Sequence, residues 1–540
     1  MHYQFLLFIF FIISKNLLAQ QTVGLFINEP SALNGYTLFG NNEKTYLIDN
    51  CGFQVNSWES DYNPGLSIYL LENGNLLRTA KISGSFSGGG LGGQFELFNW
   101  EGNLLWSYKY ADNNVHSHHD IEPLPNGNFL AIAWEKHSQS DAQQNGRKHN
   151  GEVWSERIVE IEMIGNSQAN IVWEWRLWDH LIQDHDSGKL NFGNIAQHAE
   201  LVDINYLGDG VGTDGDWVHL NAISYQKGLD QIVVSSRNFS EIWIIDHSTS
   251  TAEAASHSGG NAGKGGDLLY RFGNPQAYQR GSLSDQLFFR QHDARWTLDG
   301  SQLSVFNNEF ALGKSAVQIW TPPINSNGTY VLENNEPFGP DFFDWEYSAN
   351  GFNSKTMSGA QHLPNGNLLI CEADDGHLFE LTKEKEIVWE YINPVNANGF
   401  PVSQGGTPLF NDLFRGTKYA VDYPAFIGKN LMPGAPIEIN PWVSDCEIYL
   451  TETKDVTAGF YSGISINKNP TSDFLQVNSI LNWEGIKVEV FNLIGHKIFQ
   501  KEINAGFNKI NIADLPAGIY LLVFKINKEF LFVEKIMKAN

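Results

Sequence analysis

The chain has 540 residues, 42% of them hydrophobic and 13% aromatic, enough to bury a large core and to form more than one domain. Its formal net charge of −26 excludes a nucleic-acid backbone as the partner of its general surface, which would repel phosphates. Gly 51 and Trp 16 accompany many short runs of alternating Val, Ile, Trp, Tyr and Phe broken by Asn-Gly and Asp-Gly, a pattern that predicts an all-β protein.

Residues 1–19 carry an apolar core at 5–13, a slightly basic flank and Ala19 before Gln20. This reads as a secretory signal peptide, too short to be a membrane anchor. No later run is long and apolar enough to span a bilayer, so the mature chain is expected to be exported without a transmembrane segment, to the medium or the cell surface. Residues 20–44 read as a β-rich lead-in. From Thr45 a unit of about 60 to 70 residues recurs. Each unit has an outer phrase rich in Trp or Tyr, such as Leu104-Leu105-Trp106-Ser107-Tyr108, Ile171-Val172-Trp173-Glu174-Trp175 and Ile387-Val388-Trp389-Glu390-Tyr391. Each also has an inner phrase with a tight turn, such as Leu124-Pro125-Asn126-Gly127-Asn128 or Leu363-Pro364-Asn365-Gly366-Asn367. About six such units predict radial repetition of four-stranded sheets, a six-bladed β-propeller over residues 45–455. Cys51, Cys371 and Cys446 allow at most one internal disulfide. Cys51 with Cys446 would tie an early strand to a late one; buried free thiols are the alternative.

The oxygen-rich loop at 207–216 lacks the spacing and terminal Glu of an EF-hand, so a tight turn is expected there and no metal. Near residue 460 the composition changes. Residues 461–540 hold nine Lys against seven Asp and Glu, with one of the sixteen tryptophans, so the acidity belongs to the first part of the chain. Runs at 474–477, 487–491, 518–524 and 530–536 predict a small separate β-sandwich over 463–540.

Three phrases put histidines at the inner ends of such units: His118-His119-Asp120 before the first Leu-Pro-Asn-Gly-Asn turn, Trp217-Val218-His219-Leu220-Asn221 followed by Ser235-Ser236-Arg237, and Gln291-His292-Asp293 followed by Phe306-Asn307-Asn308. A ring of equivalent strands would gather these imidazoles at one axis. Arg237, Arg290, Arg295 and Arg415 are candidates for a local basic cluster that captures an anion against the acidic global field. In the first phrase His116, His118 and His119 compete, and His119 is chosen because Asp120 mirrors the His292-Asp293 pair. A lone histidine before a turn ordinarily bonds the backbone, which is the expectation for His362.

The order of these phrases resembles that of bacterial arylsulfate sulfotransferases over roughly residues 22–435. The resemblance implies a six-bladed propeller that moves a sulfuryl group from a phenolic sulfate donor to a phenol acceptor through a sulfohistidine, with no cofactor and no nucleotide donor. It implies His292 as nucleophile, and His119, His219 and Arg237 as the groups that hold the sulfuryl group or move the proton. Such chemistry suits these residue types. The sulfur of an aryl sulfate is shielded by anionic oxygen, so a neutral imidazole is a fitting nucleophile and a fixed cation a fitting clamp. Asn221, Arg415, Tyr419 and Trp217 are expected to bind substrate. A cysteine pair beside the site, as the family has, is expected to be absent. The C-terminal segment resembles the sorting domain of type IX secretion cargo through Asn469-Pro470-Thr471-Ser472-Asp473-Phe474-Leu475 and Leu515-Pro516-Ala517-Gly518-Ile519-Tyr520, which implies the type IX machinery as a partner. Two other classes fit a surface propeller: a non-catalytic module binding sulfated glycans or a protein, and a metal-dependent hydrolase with carboxylates at the axis.

Overall fold

The structure, a computed structural model, describes residues 21–540 except 209–214, 326–327, 443–445, 449–463, 468–472, 480–485, 493–496, 505, 527–528 and 539–540. The expected signal peptide, the centre of the oxygen-rich loop, the boundary near residue 460 and most of the opening of the sorting segment lie outside the described residues. The chain divides into two compact units, residues 1–451 and 452–540.

Six antiparallel sheets make up the body of the first unit. Four are simple four-stranded meanders whose first strands are Pro64–Leu70, Val115–Pro123, Leu220–Gln226 and His292–Trp296. The fifth begins at Gly359–His362 and carries Gly24–Asn28 as an extra strand beyond Ile387–Ile392. The sixth takes its first strand, Thr417–Ala420, from the far end of the unit and its other three from Gly35–Gly40, Lys44–Asp49 and Gln54–Glu59. The arrangement is a β-propeller, closed by two interlocked joints. Two strands of the expected lead-in, Gly24–Asn28 and Gly35–Gly40, are therefore woven into two of its sheets. Their alternating apolar residues find a half-buried strand position only beside strands from the other end of the chain.

The aromatic phrases supply one strong link between each sheet and the next. The indole N–H of Trp58 donates to Asn99 O at 2.8 Å, that of Trp106 to Gln168 O at 2.8 Å, and that of Trp173 to Thr249 Oγ1 at 3.1 Å. Trp320 donates to the Tyr270 hydroxyl at 3.2 Å, Trp345 to Lys383 O at 3.3 Å and Trp389 to Asn50 O at 2.9 Å. Together these cross all six joints. A tryptophan combines large apolar area with one donor that must be satisfied, which suits it to these joints; five of the six stand on the fourth strand of their sheet and Trp320 on the third. The Leu-Pro-Asn-Gly-Asn turns have a comparable logic. Asn126 and Asn128 both donate to Glu160 Oε1, and Asn365 and Asn367 both donate to Glu380 Oε1, so the motif pins a turn to a carboxylate on the third strand of its sheet.

The second unit is a small β-sandwich of a three-stranded and a four-stranded sheet. Leu475, Val477 and Ile510 of one sheet and Val488, Val490, Leu522 and Phe524 of the other form its core.

Cys51 and Cys446 form a disulfide that closes a loop of 395 residues, and Cys371 is a buried free thiol. Cross-links over long loops restrict the unfolded chain most, and loss of a native one costs roughly 2–5 kcal/mol. The variant Cys51→Ser is expected to lower the urea midpoint of the propeller by a corresponding amount, and to abolish the sensitivity of that midpoint to a thiol reductant. A midpoint equal to that of the oxidised wild type would contradict the role of this closure.

Candidate active site

The inner strands of the ring depart from regular geometry at the histidines. The pairing register slips within Val115–Pro123 opposite Ala131/Ala133, at Leu220/Ala222, and between His292 and Arg295. His119, His219 and Asp293 have φ of 52°, 58° and 55°, in the left-handed region that non-glycine residues seldom adopt. Such bulges re-aim side chains, and these turn imidazoles that would otherwise alternate across the sheet toward one another. The His119 and His219 rings meet edge to face with centroids 4.6 Å apart. His118 and His119, adjacent in sequence, face each other through their Nδ1 atoms at 2.8 Å.

The glycine-rich connection at 82–92 lies against this group. The amide of His119 donates to Gly90 O at 2.8 Å, and a Cβ at Gly90, whose φ is +78°, would stand 2.1 Å from His119 Cε1. Only glycine lets the backbone approach so closely.

His292 is 3% exposed. Its Nδ1 lies 2.8 Å from Asn308 Oδ1, and the Asn308 amide nitrogen donates to Ser354 O and Met357 O at 2.9 and 3.1 Å. Those two carbonyls orient the amide, so its oxygen faces the ring and the ring proton resides on Nδ1. Nε2 is left with its lone pair, which accepts a long 3.3 Å bond from the Met357 amide. Burial, opposed by the Asn308 bond and assisted by Arg237, His219 and Arg415, pushes the His292 pKa down to about 3, so the ring is neutral at physiological pH. Burial and the neighbouring His219, His118, His292 and Arg237 likewise hold His119 well below the ordinary imidazole range. His219 Nδ1 lies 2.5 Å from Asp216 Oδ2, and the other oxygen of that carboxylate accepts from the Trp134 indole at 3.1 Å. The amide of Arg237 donates to His219 O at 3.1 Å and its guanidinium to Asn238 Oδ1 at 3.0 Å. His119, His219, His292 and Arg237 thus converge from three consecutive sheets.

The remaining expected site residues lie elsewhere. Trp217 is fully buried, packs on Phe239 and donates its indole N–H to Tyr206 O, so it presents no face to a ligand. The Asn221 amide donates to Gln291 O at 2.8 Å and joins the third sheet to the fourth. The Tyr419 hydroxyl accepts from the Leu70 amide at 2.9 Å and joins the sixth sheet to the first. Arg415 is taken up by two carboxylates, Asp120 at 2.6 Å and Asp293 at 2.9 Å, and Arg295 pairs with Asp293 at 2.5 Å. Arg290 pairs with Glu309 in a half-exposed position. Of the four arginines expected to form an anion-capturing cluster, Arg237 stands with the histidines, and Arg415 acts on His292 only electrostatically. The other three stand beside acidic partners that already neutralise them. The Nε2 of His362 is buried without a hydrogen-bond partner, and burial lowers its pKa to about 4.

Sequence reasoning missed Glu156, the Met357 amide and the glycine-rich connection. The run Ser87-Gly88-Gly89-Gly90 was visible as a backbone-approach signal, whereas nothing local marks Glu156, which sits in the ordinary-looking strand Val153–Ile164. Among the described residues, one group has metal-ligating character, His180, His257 and Asp267, none of which belongs to the histidine phrases. Both histidine Nδ1 atoms contact the same Asp267 oxygen, at 2.8 and 2.7 Å, and His180 Nε2 lies 2.8 Å from Ala254 O, so internal hydrogen bonds account for the group.

Two expectations follow from this geometry. Removing Arg415 leaves Asp120 and Asp293 buried with one cation fewer, and breaking a buried pair in this way costs about 3–5 kcal/mol. Arg415→Leu should therefore lose stability in urea denaturation; an unchanged midpoint would assign this arginine to ligand binding instead. The His292 ring should show no titration by NMR from about pH 8 to about pH 5, because its depressed pKa keeps it neutral there, whereas a midpoint near 6.5 would place it in solvent.

Residues 33–398 match the family model "Arylsulfotransferase (ASST)", and residues 466–539 match "Secretion system C-terminal sorting domain". An arylsulfate sulfotransferase, AssT, from Lelliottia amnigena is 26% identical over 232 residues, which are 39% of this chain and 37% of that protein. The chain therefore spans little more than a third of the length of this curated relative. A protein of unknown function from Bacteroides caccae is 14% identical and covers 66% of this chain and 94% of its own, with a TM-score of 0.38. The Cps50 (Swd1) β-propeller domain of Myceliophteria thermophila is 10% identical and covers 70% and 88%, with a TM-score of 0.35. The family match extends over more than half of the chain and contains every histidine of the cluster: the chain belongs to the arylsulfotransferase (ASST) family.

Proposed function

We propose that this protein is an exported, nucleotide-independent aryl sulfotransferase that moves a sulfuryl group from a phenolic sulfate ester to a phenol through a sulfohistidine on His292. The observation that carries this reading is the state of His292: a buried neutral imidazole, its proton fixed on Nδ1 by Asn308, its Nε2 holding only a long bond from the Met357 amide, and its ring within electrostatic reach of Arg237 and His219.

In the donor half-reaction the Nε2 lone pair forms the N–S bond while the S–O bond to the aryl group breaks, its electron pair passing to the phenolic oxygen. Arg237 balances the charge of the sulfuryl oxygens, where a preorganised cation is worth far more than in water. The Met357 amide, released from Nε2 as that lone pair is used, is suited to donate to one of those oxygens. His119 or His219 supplies a proton to the departing oxygen and takes one from the acceptor phenol when the sulfuryl group moves on. A neutral nucleophile meets an anionic ester without charge repulsion, an advantage on a protein of net charge −26. The Cys51–Cys446 disulfide suits an oxidising compartment, and the C-terminal match supports delivery by the type IX machinery.

With a fluorogenic aryl sulfate, wild-type protein should release fluorophore in a phenol-dependent manner and yield a new sulfate ester, and His292→Asn should release none. Release that does not depend on phenol would indicate hydrolysis. No turnover with a panel of donors, by folded protein, would leave a binding propeller as the reading.

A further inference from the structure

The site is buried, yet the reaction requires a proton to be lent to one phenol and recovered from the next. His119 Nδ1 lies 2.8 Å from His118 Nδ1, and His118 Nε2 lies 3.0 Å from Glu156 Oε2. His118 is 2% exposed and Glu156 fully buried, and the His118 ring is stacked on Trp134 at 4.0 Å, which fixes its plane. The second oxygen of Glu156 accepts from the Leu220 amide at 2.9 Å, next to His219. The three groups form an unbranched chain that ends in the catalytic cluster at one end and in a carboxyl group at the other.

We infer that Glu156 is the proton store of the transfer reaction, connected to the phenolic oxygen through His118 and His119. The inference rests on the sulfotransferase reading above. Two neutral imidazoles facing each other through Nδ1 hold one proton between them, so the proton positions along the chain are linked. With Glu156 protonated, its O–H donates to His118 Nε2, His118 Nδ1–H donates to His119 Nδ1, and His119 presents Nε2–H as an acid. As the S–O bond breaks, the Nε2 proton passes to the phenolic oxygen, the His118 Nδ1 proton passes to His119 Nδ1, and the Glu156 proton passes to His118 Nε2. The products are a neutral phenol, the sulfo-His292 ring, two neutral imidazoles and a Glu156 carboxylate. The total charge is conserved, since the ester anion has been replaced by the carboxylate. His119 now presents a bare Nε2, the base the acceptor phenol needs, and the acceptor half-reaction returns every proton along the same path.

The surroundings of Glu156 favour this use. Burial holds its carboxyl well above the usual range, against the Leu220 amide; Asp216 adds to the rise and His219 opposes it. Burial first, and then His219, hold His118 well below the usual imidazole range, with Asp216 opposing, so neither ring retains a second proton. The carboxylate formed in the first half-reaction is thus a buried anion facing Asp216, and it recovers a proton readily in the second.

The decisive variant is Glu156→Gln, whose amide keeps the Leu220 and His118 contacts but yields no proton. With phenyl sulfate, whose leaving oxygen must be protonated, the first half-reaction should slow by about 10²-fold or more, the usual range of proton-transfer catalysis. With 4-nitrophenyl sulfate, whose phenolate is a far weaker base, the loss should be much smaller. Equal losses with both donors would overturn the store and leave the sulfotransferase reading intact. Infrared difference spectra of the wild type supply a readout independent of how the variant folds. Sulfation by donor without acceptor should bleach a carboxylic-acid carbonyl band that Glu156→Gln lacks, and a band that persists on sulfation would also overturn the store. Failure of the wild type to take a sulfuryl group from any donor would remove the sulfotransferase reading and this inference together.

Discussion

A strand at the axis of a ring of sheets has a partner on one edge only. Its other edge would present unpaired N–H and C=O groups to a space too narrow for another strand, and unpaired buried groups of this kind are costly. Here the six joints between inner strands are stitched by side chains instead. Ser67 donates to His119 O, the Ile223 amide to Asp120, Asn221 to Gln291 O, the Ala360 amide to Asp293, Gln361 and Lys418 bond reciprocally, and the Leu70 amide donates to Tyr419. Two of these stitches come from the aspartates that directly follow His119 and His292. The carboxylate that joins one sheet to the next and the imidazole that faces the cluster therefore belong to one dipeptide, and the left-handed backbone at His119 and Asp293 is held in place by that joint.

Beneath the histidines the axis is filled by ions. Asp120 and Asp293 share Arg415, Arg295 completes the pair at Asp293 and also reaches the Tyr69 hydroxyl at 3.3 Å, and Glu122 lies close enough to feel them. The desolvation of the two aspartates is offset because each has a close arginine and a backbone donor. Above this layer, burial lowers the pKa of the His119 and His292 rings, and the aspartate that follows each of them is satisfied by arginine. In the proposed reaction Arg237 would meet the anionic sulfuryl group in a partly buried setting, where the attraction is less screened than in water.

Much of this was legible in the chain. The repeated Trp phrases and Asn-Gly turns carried the all-β propeller because each has a reason to recur: a tryptophan to cross a joint, a pair of asparagines to hold a turn on a carboxylate. The mirrored His-Asp pairs had a similar reason to recur, since each aspartate accepts from a backbone amide of the next sheet. What the sequence hid was the use of polar residues between neighbours. Asn221, Tyr419 and Arg415 lie in motifs that suggest ligands, and their side chains are occupied by the ring itself. Trp217 belongs to a core that only the contact with Phe239 reveals. Glu156 was hidden because its partner His118 is 38 residues away and is brought near it across the strand Phe129–His137, which pairs with both Val115–Pro123 and Val153–Ile164.

The bulge at His118 to Asp120 is where structure and chemistry become inseparable. In a regular strand His118 and His119 would point to opposite faces and could not share a proton. The inserted residues place both rings on one path, one resting on Trp134 and tied to Glu156, the other against His219 and the glycine-rich connection. The cost of a left-handed histidine is of order 1–3 kcal/mol, and it is offset by the Asp120 stitch and the Arg415 pair that follow within one residue. Without the bulge the two rings would lie on opposite faces of the sheet, and the proposed line of proton carriers between a buried carboxyl group and the site would be broken.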